Sequence, residues 1–161
     1  MMRRVEAIMA VMDRAFDPRW GEAWNARQVA DALATPNTHS LLAAPDGSVA
    51  EDGVDVEQHP AGFLLSRAAG SEEELLLLGV APPFRNRGIG RALVTRFIAE
   101  ARLRGAEKLF LEMRVNNEAD RFYRQLGFVP IGRRPSYYRI YSGGYLDATT
   151  FVYDLVDRHD A

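Results

Sequence analysis

The chain of 161 residues is one domain by length, enough to bury a sizeable core. A hydrophobic content of 47% and a charged content of 26% are ordinary for a globular protein, while a net charge of −2 argues against a dedicated nucleic-acid binder. The absence of cysteine excludes disulfides, thiolate metal sites and a cysteine nucleophile, and His39, His59 and His159 lack metal-ligand spacing. No apolar run approaches a membrane span and the N-terminus has no signal-peptide pattern, so the expectation is a cytoplasmic protein without a membrane partner.

The spacing of Ile8, Met9, Met12 and Phe16 predicts an amphipathic helix over Val5 to Phe16, ended by Asp17-Pro18-Arg19-Trp20-Gly21. A second helix is expected from a cap near Asn25, through Val29 and Leu33, to Thr35-Pro36. Ser40 to Ala44 and Ala61 to Ala68 read as two hairpin strands joined by a long mobile connection, residues 45–60. Leu75 to Leu78 and Val80 form an apolar run fit for a buried strand, which Ala81-Pro82-Pro83 breaks. A helix follows with Ile89, Leu93, Phe97 and Ala101 on one face and Gly105 at its C-terminal cap. Lys108 to Val115 is a strand with Leu109 and Leu111 on one side, Phe110 and Glu112 on the other. Asn116-Asn117-Glu118 is expected to cap a short helix ending at Gly127. A strand begins over Phe128 to Ile131, and after a turn at Ser142-Gly143-Gly144 a last one covers Thr149 to Leu155. Strand–helix–strand at the centre gives a parallel pair with antiparallel strands outside it. The expected fold class is therefore α/β (α+β): a mixed, mostly antiparallel sheet with helices on both faces.

The chemistry-bearing stretch is Arg85-Asn86-Arg87-Gly88-Ile89-Gly90, between strand and helix. The first turn of a helix leaves backbone N–H groups unpaired at the positive end of its dipole, and glycines let an anion approach them. Arg85, Arg87 and Arg91 add positive charge. The turn has neither the Gly-Lys-Ser/Thr of a Walker loop nor the third glycine and strand-end acid of a dinucleotide fingerprint. A plain packing turn is the competing interpretation.

The Arg-x-x-Gly-x-Gly spacing, Arg85 to Gly90, resembles the acetyl-CoA-binding motif of the GNAT family of N-acetyltransferases. The resemblance implies that the backbone of Arg85, Asn86, Arg87, Gly88, Ile89 and Gly90, with Arg91 at the start of the helix, holds the pyrophosphate of acetyl-CoA. It also implies that Leu78, Gly79 and Val80 pair with the pantetheine arm. A single N-acetyltransferase domain over residues 1–161 is expected, lacking the strand that usually opens this fold. Residues Ala119 to Phe128 resemble the family's Ala-x-x-Leu-Tyr-x-x-x-Gly-Phe segment, in which the tyrosine is the general acid, here Tyr123. Leu111-Glu112-Met113-Arg114 and the tail through Tyr137-Tyr138 are most similar to the RimI branch, which acetylates the N-terminal alanine of a ribosomal protein. That resemblance makes Glu112 the base. The chain is one residue shorter than the branch between glutamate and tyrosine, so Asn116 or Asn117 stands for its CoA-contacting asparagine; Asn116 keeps the register.

Residue chemistry alone leaves two interpretations of each. Glu112 serves a cleft as base, its carboxyl raised by burial, or pairs with Arg114 or Arg139 on a solvated face. Tyr123 donates a proton or packs at the rim of a core built on Phe122 and Leu126. Trp20-Gly21-Glu22-Ala23-Trp24 resembles the family's substrate-side loop, or staples the second helix. The implied acceptor is a protein N-terminus, with a small-molecule amine or a non-catalytic acetyl-CoA-binding module as alternatives, and a monomer is expected.

Overall fold

The computed structural model describes residues 2–51, 54–115, 117–139 and 143–156. Helices α1 (Met2–Ala15) and α2 (Ala26–Ala34) come first. The start of α2 follows its sequence: Asn25 Oδ1 accepts from the Gln28 N–H and Gln28 Oε1 from the Asn25 N–H, both at 2.8 Å, closing a capping box. Strands β1 (Thr38–Ala43), β2 (Val49–Ala50), β3 (Gly62–Ala69) and β4 (Glu72–Val80) follow, with a short helix α3 (Val54–Gln58) between β2 and β3. Helix α4 (Ile89–Leu103), β5 (Lys108–Arg114), α5 (Asp120–Gln125), β6 (Val129–Arg139) and β7 (Tyr145–Asp154) complete the order.

The connection over 45–60 departs from expectation. Among its described residues, Val49 and Ala50 of β2 pair back on β1 and Val56 of α3 is buried, so these parts have regular structure of their own. Elements of two and five residues are too short to print a period on a polar sequence. A second departure lies before α5: its N-cap is Ala119, which offers no side-chain cap, while Asn117 Oδ1 accepts from the Ala119 N–H at 2.8 Å. Asn116, Tyr141, Ser142 and His159 fall outside the described residues, as does the side chain of Arg139.

The seven strands form one sheet in the order β2-β1-β3-β4-β5-β7-β6, antiparallel throughout except at β4–β5. Ile8, Met12, Val29, Val56 and Phe63 build a core under α1, α2 and α3. Ile89, Leu93, Phe97, Leu109, Leu111 and Phe151 build another on the opposite face, under α4 and α5. On β4 the register against β3 slips, Leu65 facing Leu77 and Ser66 facing Leu75, so Leu76 is the extra residue of a bulge. Leu76 and Leu77 in consequence both pack toward α1 and α2, whereas Leu75, Leu78 and Val80 pack toward α4. The parallel ladder is short. It joins Glu72–Glu74 to Lys108–Phe110 and stops, so the remaining halves of β4 and β5 leave a cleft through the middle of the sheet.

Candidate active site

One end of the cleft is the turn into α4. Past Val80, a single 3-10 turn over Pro82–Phe84 redirects the chain, and Asn86 and Gly88 then take left-handed conformations (φ +63° and +80°). Gly88 is the N-cap of α4 and supplies no side-chain cap, which leaves the first N–H groups of a 15-residue helix for a ligand. A Cβ on Gly88 would meet nothing within 4 Å. Its glycine is therefore demanded by the backbone angle, and the space above it is open. Arg87 and Arg91 are exposed beside this cradle. Arg85 is engaged differently from the sequence expectation: Nε donates to the Val80 carbonyl (3.1 Å) and Nη2 to the Ala15 carbonyl (2.6 Å), bracing the turn against the end of α1. A row of amides without a side-chain cap at a positive dipole end, flanked by guanidinium groups, fits a diphosphate.

From the cradle the cleft follows the free edge of β4. Leu78, Gly79 and Val80 pair with Leu64, Phe63 and Gly62 on the β3 side, and among the described residues their other edge has no ladder partner. A Cβ on Gly79 would lie 2.6 Å from the Phe63 ring, so this glycine serves close packing of that ring. The central cavity, about 350 Å³, is bounded by Leu75 to Leu78 on one strand and Leu111 to Met113 on the other. Glu112 and Tyr123 both border it.

These two residues come from opposite faces. Along β5, Leu109, Leu111 and Met113 are buried toward α4, and Glu112 points the other way. Its Oε2 accepts a hydrogen bond from Thr150 Oγ1 at 2.9 Å, and its Oε1 lies 3.7 Å from Arg134 Nη1. The arginine partner is thus Arg134, since Arg114 is committed elsewhere. Tyr123 belongs to the α4-side core, packed edge-on against Phe122 and Phe128. Burial, and to a lesser degree the charge of Glu22, push its hydroxyl well above the ordinary tyrosine range. Among the described residues that hydroxyl has no hydrogen-bond partner. Only because the strands part do the two groups meet one cavity.

A match to the acetyltransferase (GNAT) family covers residues 5–128. The chain belongs to this family. Acetyl-CoA is the family's co-substrate, and the cradle and strand edge fit it. Among relatives, N-alpha-acetyltransferase RimI of Mycobacterium tuberculosis is 35% identical over 127 residues, 78% of this chain and 72% of that protein. The ribosomal protein bS18 alanine N-acetyltransferase of Haemophilus influenzae is 30% identical over 83 residues, 52% of this chain. The match spans 57% of that relative's own length. The crystal structure of the ribosomal-protein-S18-alanine N-acetyltransferase from Escherichia coli superposes with a TM-score of 0.75, at 24% identity, covering 95% of this chain and 88% of that one.

In this GNAT domain the cleft wall opposite the cradle carries groups the sequence barely signalled. Glu22, in the loop before α2, accepts from Arg114 Nε (3.1 Å) and Asn117 Nδ2 (3.3 Å). Both members of the Glu22–Arg114 pair are about nine-tenths buried, and the Arg114 guanidinium lies 4.2 Å from the Trp20 ring centre. Trp20 therefore anchors its loop to β5, while Trp24 packs toward α2. Asn117 binds this loop, and its partner candidate Asn116 is not described. Tyr138 of β6 donates its hydroxyl to the Glu112 carbonyl at 3.0 Å and stacks edge-on with Tyr137. Glu74, last residue of the parallel ladder, also borders the cavity; burial first, then the Glu112 charge, hold its carboxyl above the usual range. Thr150 gave no sequence signal, since a threonine inside an alternating strand is an ordinary β residue.

Proposed function

We propose that this protein is an acetyl-CoA-dependent N-acetyltransferase acting on the N-terminal α-amine of a protein, by direct attack in a ternary complex. The observation that supports the proposal is the parting of β4 and β5 beyond Glu74 and Phe110, which opens a cavity bordered by Leu78, Glu112 and Tyr123, while the strand edge continues through Gly79 and Val80 toward the turn into α4. The backbone from Arg85 to Gly90 and the first turn at Arg91 bind the pyrophosphate of acetyl-CoA. The free edge at Leu78, Gly79 and Val80 pairs with the pantetheine arm, which directs the thioester between Glu112 and Tyr123.

Glu112 takes a proton from the acceptor ammonium, directly or through one water. The freed amine lone pair forms the C–N bond, the C–S bond breaks with its electron pair on sulfur, and the thiolate takes the Tyr123 hydroxyl proton. The second amine proton leaves through solvent and Tyr123 is reprotonated, so each turnover moves one acetyl group and releases one proton. Burial keeps the Tyr123 hydroxyl protonated in the resting protein, so its proton is in place when a thiolate develops beside it. With no cysteine, a cysteine-linked acetyl-enzyme is excluded.

An α-amine (pKa near 8) needs about 3 kcal/mol less than a lysine (about 10.4) to deprotonate at neutral pH, which suits a single carboxylate. The names of the relatives favour an N-terminal alanine, and a ribosomal protein as acceptor. Glu22, Trp24, Tyr137 and Tyr138 form the acceptor end of the cavity, and a monomer contains every group the reaction uses. The test is release of CoA thiol on mixing with peptides beginning in alanine, against polyamines and aminoglycosides. Turnover confined to peptides supports the proposal. Preference for a small amine reassigns the acceptor, and tight CoA binding with no release over any amine reassigns the protein as a binding module.

A further inference from the structure

Sheet register places Glu112 in a row of three residues. It pairs with Thr150 of β7, and Thr150 pairs in turn with Gly132 of β6. Directly opposed residues on neighbouring strands share a face, so the Thr150 side chain stands beside the Glu112 carboxylate. The row then ends in a residue with no side chain, and a Cβ on Gly132 would meet nothing within 4 Å. Among the described residues, the Thr150 hydroxyl makes one side-chain hydrogen bond, to Glu112 Oε2 at 2.9 Å. Valine would fill the same position in a strand equally well. The hydroxyl is therefore the feature that needs a reason.

We infer that Thr150 is a positioning residue for the base: its hydroxyl holds the Glu112 carboxylate by Oε2 and leaves Oε1 to take the proton of the acceptor amine. This rests on the reading of Glu112 given above. An ionised carboxylate only accepts, and a hydrogen bond to it is stronger and shorter than a neutral one. One oxygen so engaged fixes the rotamer. The other is 3.7 Å from Arg134 Nη1, beyond hydrogen-bond range, and keeps its accepting capacity. The other titratable groups lining the two cavities that Glu112 borders are Glu72, Glu73 and Glu74 from β4, Arg67 from β3, Tyr123 from α5, Tyr137 and Tyr138 from β6, the latter on the Glu112 backbone carbonyl, and Glu22 across the cleft. Among the described residues, Thr150 is the single side chain within hydrogen-bond distance of the carboxylate.

The experiment compares Thr150→Val and Thr150→Ser with the parent protein in two readouts. Removing a bond made to the charged form favours the protonated form. The Glu112 carboxyl titration, followed by carbon NMR with Glu112→Gln as the assignment control, is expected to differ between parent and Thr150→Val, and the parent behaviour to return in Thr150→Ser. The acid limb of kcat/KM is expected to move with it, with kcat lowered about tenfold and the affinity for acetyl-CoA unchanged. Superimposable titrations in parent and Thr150→Val overturn the inference, as does a Thr150→Ser variant that behaves like valine. If Glu112→Gln turns over normally while the NMR shift appears, the base assignment is the part that fails. If Glu112→Gln is inactive and Thr150→Val matches the parent, the fault lies with Thr150.

Discussion

The two ends of the cleft are built by different means. At the end proposed to hold the cofactor, the strand edge, the proline turn, the glycine N-cap and the first turn of α4 all lie between Leu78 and Arg91, with distant support from β3 and from the Ala15 carbonyl that Arg85 grips. The acceptor end is assembled from the loop before α2 and from β4, β5, β6 and β7, with Glu22, Glu74, Glu112, Tyr138 and Thr150 meeting only in the folded sheet. A locally coded end changes with local backbone substitutions. An end built by register changes with single side chains whose partners sit on other strands.

That contrast is sharpest in the chemistry. Glu112→Gln keeps the shape of the side chain and its place beside Thr150 but removes the proton acceptor. The expected loss in kcat is about 10²- to 10⁴-fold, with acetyl-CoA affinity, measured by calorimetry, unchanged. Tyr123→Phe is expected to lower kcat about tenfold or more while moving the acceptor KM little. Equal loss in both quantities would make Tyr123 a packing residue, a role its contacts with Phe122 and Phe128 also suit.

Next in size is the loop anchor. Glu22→Ala leaves the buried Arg114 guanidinium without its carboxylate, a loss of about 3 kcal/mol for a buried pair broken on one side. For a chain of this size that lowers Tm by roughly 6–12 °C. The acceptor KM should rise and acetyl-CoA affinity should stay. A fall in acetyl-CoA affinity as large as the rise in KM would show that the two ends are not separable. Gly88→Ala probes the other end. The left-handed angle costs an alanine about 1 kcal/mol, and its methyl meets no protein atom. Its one new contact is with the ligand, so weaker acetyl-CoA binding with normal acceptor KM is expected at a Tm a few degrees lower.

The same division explains what the sequence disclosed. The strand–turn–helix unit, the central parallel pair and the alternation along β5 were legible, because each depends on neighbours within a few residues. The bulge at Leu76 was not: a run of four leucines carries no mark of which one is extra, and tertiary pairing with β3 decides it. Nor was the arginine facing Glu112, since Arg114 is nearer in sequence and Arg134 is nearer in space only through the β5–β7–β6 order. Arg85 shows the converse. Its place in the motif was plain, but its engagement with the Ala15 carbonyl required knowing where α1 ends.

The smallest effect expected is at Glu74, where the acceptor wall joins the sheet. Its carboxyl sits above its ordinary value of 4.5 because part of the side chain is buried and Glu112 is a like charge nearby, against which Arg134 and Arg67 act. A carboxyl raised by folding binds its proton more tightly in the folded chain than in the unfolded one. That contribution to stability is complete below the ordinary glutamate range and is lost as pH rises through the raised value. Glu74→Gln carries no charge at any pH and escapes the loss. The Tm of the variant minus that of the parent should therefore grow from pH 4 to neutrality and then level off. Solvent around the exposed end of Glu74 keeps the gain small, and added salt should shrink it further. A difference that stays flat with pH would mean that the two arginines offset both the burial and the repulsion. In that case Glu74→Gln should also leave the acid limb of the rate profile in place.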